Sequence, residues 1–471
     1  VLPTSLTQTV DRTIPAAAID MGKLTEPAQL ASLSVKQISA LSSTQVGQIA
    51  TSAISGLTAA QVQAISTAQI GQLTTAQLSN FSPAQITAFK PAQVKLLDSS
   101  QIQALDSNQI NALSAAQIKE LSTQQIATLS TDQISALGRP WIASMSPAQV
   151  SGLSTAQANA LSETQLTYMT PVQISAIETA DLEVIDEKLA TLSKTQVAAL
   201  STAQVSTIFS LNSLPFSDVQ LSALTSKAIS SLDDTAINKF SADQITNLTV
   251  DQAKGLTYTQ LNALNAYKLQ AIEAKDFAAI SASTLKDLDA GQIDKLTSQQ
   301  IASLTPAQFK SLTTAQISRL TSEQIQGISA NNLNSLSTSQ AIALGTAGMS
   351  ALTPKQITAL TSNVIKNLET TQLAELSTSQ VQALSAQQVS AMTTTQLNSL
   401  QPEQIRALDA TDVAALSVNT LKSIENIEDL SAAQLGRLSA LQLKSLSTAQ
   451  LNSLTSSQVQ NLSAKNLAAL S

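Results

Sequence analysis

Large aliphatic residues recur along this chain at alternating spacings of three and five, with polar or small residues between them. Residues Ser66–Leu97 show the pattern in four consecutive phrases, STAQIGQL, TTAQLSNF, SPAQITAF and KPAQVKLL. The unit is [S/T]-x-x-Q-[I/V/L]-x-x-L. It becomes regular at about Ser34 and continues to Leu470. That is roughly fifty-five copies, far beyond the few that a repeat array needs. Position four is usually Gln, as at Gln69, Gln77, Gln85 and Gln93, and position seven is often Ala.

Slips of phase are few. DEKLATL (Asp186–Leu192) is one residue short and ENIEDL (Glu425–Leu430) two short. FSLNSLPF (Phe209–Phe216) keeps the length but loses the pattern, and GRPWIASM (Gly138–Met145) carries the single Trp.

Three structures compete for such a period. A β-strand alternates its faces, so Ile70 and Leu73, three apart, point to opposite sides. A continuous α-helix advances by about 800° over eight residues, so its apolar stripe slips by about 80° per unit and winds around the rod. It also places prolines inside a helix, at about 3 kcal/mol each. The third structure is a run of short helices, each restarted at the Ser or Thr. Ser/Thr followed by Gln three residues later is the capping box, in which the hydroxyl accepts from the third backbone N–H and the Gln reaches back to the cap's own N–H. Acids take the cap position at Asp98, Asp106, Glu178, Asp233, Glu273, Asp289 and Asp409, where a negative charge suits a helix start. Pro83, Pro91, Pro147, Pro171, Pro306, Pro354 and Pro402 all fall at the next position, the first of the helix, where proline is favoured. This agreement of phase selects the short helices.

Each unit is thus a helix of about six residues followed at once by a bend, with positions five and eight on one face. Two buried aliphatic side chains contribute about 3–6 kcal/mol. Ordering eight residues costs about 12 kcal/mol. A unit is therefore stable only when stacked. The expected fold is all-α, an α-solenoid (superhelix) of about fifty-five eight-residue repeats, each one short capped helix. Residues 1–33 form an irregular N-terminal segment, and 34–471 a continuous octad-repeat solenoid. The Gln column has two readings: capping alone, or a stacked amide ladder that also fixes register between turns.

Composition narrows the chemistry. The 471-residue chain has no Cys and no His, which removes disulfides, thiolate and imidazole catalysis and Cys/His zinc sites. Charged residues are 12%, aromatics 2%, and the formal net charge is −7. A phosphate-binding surface, and with it a nucleic-acid partner, is not expected. No apolar run is long enough for a transmembrane helix. No catalytic, cofactor or metal site stands out, and the expectation is a protein that is not an enzyme. ETADLEVIDEKL gathers Glu178, Asp181, Glu183, Asp186 and Glu187, for which a solvated acidic face is preferred over a cation site. Gly47, Gly71 and Gly152 are scattered singly and make no phosphate loop. Lysines in DDTAINKF and KPAQVKLL sit on outer positions, and Asn247 begins an N-x-T glycosylation signature. Trp141 is read as a core filler in preference to a recognition anchor. Capping engages the hydroxyl rows, which argues against an ice-binding array.

Phrases such as LTTAQISRL (Leu312–Leu320) resemble the L-[S/T]-x-x-Q-[I/V]-x-A-L arrays of large secreted or surface bacterial repeat proteins, adhesin-like or filament-forming. LTPAQF and LQPEQI are more loosely similar to the superhelical repeats of the mesothelin and stereocilin family. Both resemblances imply an extracellular or cell-surface structural role. The expected function is an extracellular structural protein that self-assembles head-to-tail into a filament, sheath or surface layer, with copies of itself as partners and attachment to a cell surface left open. The irregular first segment, with Val1, Leu2, Leu6, Val10, Ile14 and Ile19, is a candidate docking piece. The alternatives are an adhesin stalk that projects a separate binding domain, and a protein-binding solenoid scaffold.

Overall fold

The structure is a computed structural model, described here for residues 12–211 and 215–469. Fifty-two α-helices and five 3-10 helices follow one another, with no strand among the described residues. The fold is the all-α repeat array expected, an α-solenoid. The chain divides into two compact units, Val1–Leu232 and Asp233–Ser471, and both are built in the same way.

A regular octad shows why the corner falls where it does. In the octad Ser114–Leu121, the helix Ala115–Glu120 starts after Ser114, whose hydroxyl accepts from Gln117 N–H while the Gln117 side chain caps Ser114 N–H. Leu121, after the helix, is extended at φ −61°, ψ 130°, and its N–H donates to Ile118 O. Ser122 is extended as well, at φ −71°, ψ 158°. Two consecutive extended residues, positions eight and one, redirect the chain. No left-handed residue is needed, and Gly345, at φ 67°, has the only positive φ among the described residues. All seven in-phase prolines lie at the first helical position.

The array begins one unit earlier than its regular run suggests. EPAQLASL (Glu26–Leu33) is already a helix, Pro27–Ser32, with Gln29 Oε1 accepting from Glu26 N–H at 3.0 Å. Before it, 3-10 helices cover Ala16–Ala18 and Met21–Lys23. Ile19 is buried there and Ile14 is partly exposed. Val1, Leu2, Leu6 and Val10 of the candidate docking piece lie outside the described residues, as does the middle of FSLNSLPF.

Positions five and eight form the core, as their spacing predicts: Ile70 is 0% and Leu73 3% exposed. Each helix packs on the helix three octads away. Ala59–Ala64 lies on Pro83–Ala88 in the first unit, and Ala282–Lys286 on Pro306–Ser311 in the second. Packing is close where Gly56 passes Pro27: a Cβ at Gly56 falls 2.0 Å from Pro27 O, so no side chain fits. In three octads that lack the box a 3-10 helix replaces the α-helix, while others without it, such as Arg139–Ser144 and Asp234–Ile237, stay α-helical. Thr51–Gly56 follows Ala50 with Ala53 in the Gln position, and Asp186–Thr191 and Ile427–Asp429 lie in the two shortened octads.

Ala115→Pro, at the first helical position, is expected to leave stability unchanged or to raise it by up to about 1 kcal/mol. Lys119→Pro, four residues on in the same exposed helix, is expected to cost about 3 kcal/mol or more. Urea unfolding of the two variants checks the pair.

Candidate functional site

The one polar arrangement that recurs throughout the described residues is built on position four. Its glutamines are buried, at 2% exposed for Gln69, Gln93 and Gln101 and 1% for Gln77 and Gln109. In most octads the amide works at both ends; Gln292 only donates, its Oε1 being without a partner. In the octad that begins at Asp98, Gln101 Oε1 accepts from Asp98 N–H at 2.8 Å, closing the capping box. Its Nε2 donates to Ile70 O at 3.1 Å and Leu73 O at 2.7 Å, 31 and 28 residues back. Gln316 makes the same pair with Leu285 O and Leu288 O, at 2.8 and 2.6 Å, in the second unit. The acceptors are positions five and eight, four octads earlier. Since helix bodies pack three octads apart and the clamp reaches four, each turn of the coil holds between three and four octads.

The chemistry follows from helix ends. A six-residue helix has little interior, so most of its N–H and C=O groups are terminal and lack an intrahelical partner. Buried, each such group costs about 1–3 kcal/mol if unpaired. One glutamine serves an N–H of its own helix start and two C=O groups at a helix end in the adjoining turn. Capping alone is therefore too small a role for the Gln column, and amide does not stack on amide: the register bond runs from side chain to backbone.

The clamp holds its register across the short octads. Gln196 reaches Leu166 O and Met169 O at separations of 30 and 27. Gln434 reaches Ile405 O and Leu408 O at 29 and 26. The separations shrink by the residues lost, while the acceptors remain positions five and eight.

Other residues in the slot show what it requires. Asn332 Nδ2 donates to Leu304 O, 28 residues back, at 2.9 Å, and Asn466 Nδ2 to Leu438 O at 3.0 Å. One methylene shorter than Gln, Asn332 does not also reach its own cap, and its Oδ1 has no partner. Lys188 Nζ donates to Asn159 O and Leu161 O, and Lys268 Nζ to Asn238 O. Trp141 fills the slot of its octad at 1% exposed, so its ring is a core group; its indole N–H has no acceptor. In that octad an Asn of another turn takes over the capping, with Asn111 Oδ1 accepting from Gly138 N–H at 2.7 Å.

An outer row adds a second link between turns. Side chains at position six donate to a carbonyl 25 residues ahead, as Asn111 Nδ2 to Ala136 O at 2.7 Å and Gln103 Nε2 to Thr128 O at 2.9 Å. Ion pairs use the same rows: Lys95–Glu120 at 3.4 Å and Arg319–Asp294 at 2.9 Å. Exposed to this degree, such pairs add little stability.

The acidic caps divide. Asp98, Asp106 and Asp233 accept from the third N–H of their helices, with ψ of 172–176°. Glu178, Glu273, Asp289 and Asp409 make no such bond, contrary to expectation. Their ψ lies at 136–148°. In three of these octads position four is itself an acid: Asp181, Asp276 or Asp412. Of the acids in ETADLEVIDEKL, Asp181 is a buried slot residue while Glu183 is exposed. Among the described residues no three His, Cys, Asp or Glu side chains gather as a metal would need. Gly47 passes Gln72 O beside Gly71, while Gly152 lies in another octad against Thr123; Lys95 is exposed while Lys239 is half-buried, and Asn247 is exposed. Open grooves on the outer faces, such as those of about 420 Å³ beside Ser151, Ser175 and Ser201 and about 480 Å³ beside Asn331, Thr358 and Ser385, are lined by hydroxyls and amides.

A family model described as "ALTTAQ repeat" matches residues 80–115, 102–139, 269–306 and 365–402. These stretches are a minority of the chain and mark it as a repeat protein. No curated protein matches it. A solved structure titled "Structure of APUM23-GGAAUUGACGG" is similar at 12% identity over 94% of this chain and 89% of that one, with a TM-score of 0.13. So low a score carries no argument. No helix among the described residues is long and apolar enough to cross a membrane.

Replacing Gln101 by Met keeps the bulk and removes the donors and the cap acceptor. It is expected to cost about 2–4 kcal/mol of local stability, against about half of that for Gln101→Asn. Hydrogen exchange of residues 97–105 in the native state reads the difference.

Proposed function

We propose that this chain is a non-catalytic structural array of the extracellular space or cell surface, which stacks end to end on copies of itself to build a filament, sheath or layer. One observation carries the reading. In both units position five is sealed by an adjoining turn, with Ile126 and Leu373 at 0% exposed, and the same clamp repeats, from Gln101 to Leu73 O at 2.7 Å and from Gln316 to Leu288 O at 2.6 Å. One turn of octads is thus the complement of another, and a second copy carries such turns. A contact between two unlike faces that does not close on itself gives a filament. The low charge and the hydroxyl-rich outer surface support a scaffold over a catalyst.

The purified chain is expected to associate as its concentration rises and to give fibres in electron microscopy. Sedimentation velocity over a range of concentrations reads the association. A wild-type chain that stays monomeric at every concentration overturns self-assembly and favours the adhesin stalk.

A further inference from the structure

The slot is a donor position. Gln, Asn and Lys, three unlike side chains, all donate there to carbonyls of an adjoining turn. Three octads place an aspartate in it instead: Asp181, Asp276 and Asp412, at 3%, 1% and 8% exposed. An ionised carboxylate only accepts, and it can satisfy neither carbonyl. A protonated one has the shape of Asn and carries one donor. Asn332 and Asn466 show that a side chain of this length reaches the carbonyl 28 residues back, at 2.9 and 3.0 Å.

Asp276 is the plainest case. Neither of its carboxyl oxygens has a hydrogen-bond partner. The separations of 28 and 31 residues place Leu248 O and Ile245 O opposite it. We propose that Asp276 is a proton-dependent stitch between turns: its neutral carboxyl donates to Leu248 O, and loss of the proton unfastens that turn. Asp181 and Asp412 hold the same register to Leu153 O and Leu384 O. Their carboxyls are also met by hydroxyls, those of Thr155 and Thr411 respectively, which partly satisfy the ionised form.

The charges around Asp276 agree. Burial pushes its carboxyl above the usual aspartate range; Lys275 opposes this and Glu273 adds to it. Lys275 is already engaged by Glu273 at 2.6 Å. The helix Val250–Ala253, packed against Ala274–Phe277 on one side, carries Asp251, which pairs outward with Lys254 at 2.9 Å. The helix Ser298–Ser303, on the other side, has no charged residue. Asp243 is the acid in the octad that bears the two carbonyls. Lys275, the cation that favours the ionised form of Asp276, is thus shared with Glu273. A raised carboxyl in the folded state means no penalty below the ordinary aspartate value, where folded and opened forms are both protonated. The penalty grows as pH rises through that value toward the folded one, and it is complete above it.

Hydrogen exchange of residues 274–280 in the full chain tests this, each variant being compared with wild type at the same pH. Asp276→Asn, which donates at every pH, is expected to slow exchange by about tenfold at pH 7.5 and by less than about twofold at pH 3.5. Asp276→Ala, a side chain the slot accepts at Ala53, Ala228 and Ala236, is expected to gain clearly less than Asp276→Asn at pH 7.5. Equal gains for Ala and Asn overturn the stitch, because removal of charge then explains everything. A gain for Asn that persists at pH 3.5 overturns it as well. So does calcium, if addition to wild type at pH 7.5 reproduces the Asp276→Asn effect, since a cation and not a proton then bridges carboxylate and carbonyl.

Discussion

A helix of six residues has almost no middle, and the array exists because one side chain meets that constraint at both ends. Most backbone polar groups of such a helix are terminal and find no partner within it. Packing the helices into a coil buries many of these groups, where water no longer serves them. In a regular octad the glutamine accepts from the N–H that starts its own helix and donates to two carbonyls that end another, as Gln77 does with Thr74 N–H, Val46 O and Ile49 O. Apolar burial at positions five and eight supplies the drive to stack, but burial is not directional. The clamp is directional, and it fixes which turn meets which.

Tolerance follows from the same bond. A shortened octad leaves the acceptors at positions five and eight, because a missing residue is absorbed in a 3-10 turn and the amide still finds its carbonyls. The cap hydroxyl is dispensable: Lys90 offers no acceptor, yet Gln93 Oε1 still takes its N–H at 2.6 Å. The slot accepts substitutes in graded fashion. Gln most often caps and clamps, Asn332 and Lys268 clamp, and Ala53, Ala228 and Ala236 do neither. The aspartates are the members whose service depends on a proton. The same residue type at position one is in the opposite state: the Ser100 hydroxyl and Gln101 N–H hold the Asp98 carboxyl below the usual range. Two positions three residues apart thus impose opposite electrostatics, one at a helix start lined with donors and the other beside carbonyls.

Much of the local structure was legible from spacing. Ser114 and Gln117 announce a capping box, Pro83 and Pro306 mark first helical positions, and Ile70 with Leu73 define a buried face; all are relations within one octad. The octad at Glu26 escaped because Glu, not Ser, stands at its cap, although PAQL follows in phase. The acidic caps were read too generously, because whether Asp409 reaches its third N–H depends on the local conformation, which the residue's identity does not fix. Trp141 was read as a core filler, and only the structure shows that the position it fills is the buried Gln slot.

By itself the sequence determined the unit: one short helix per eight residues, its start, its buried face and the need to stack, because capping, proline geometry and side-chain periodicity act over distances shorter than the repeat. Only the tertiary structure decided how the units meet. That a turn holds between three and four octads, and that Gln101 clasps Leu73 O in preference to a carbonyl eight residues nearer or farther, depends on packing across the coil. Every octad carries nearly the same letters, so the sequence offers many equivalent partners, and the choice among them is made by the close fit of one turn upon another.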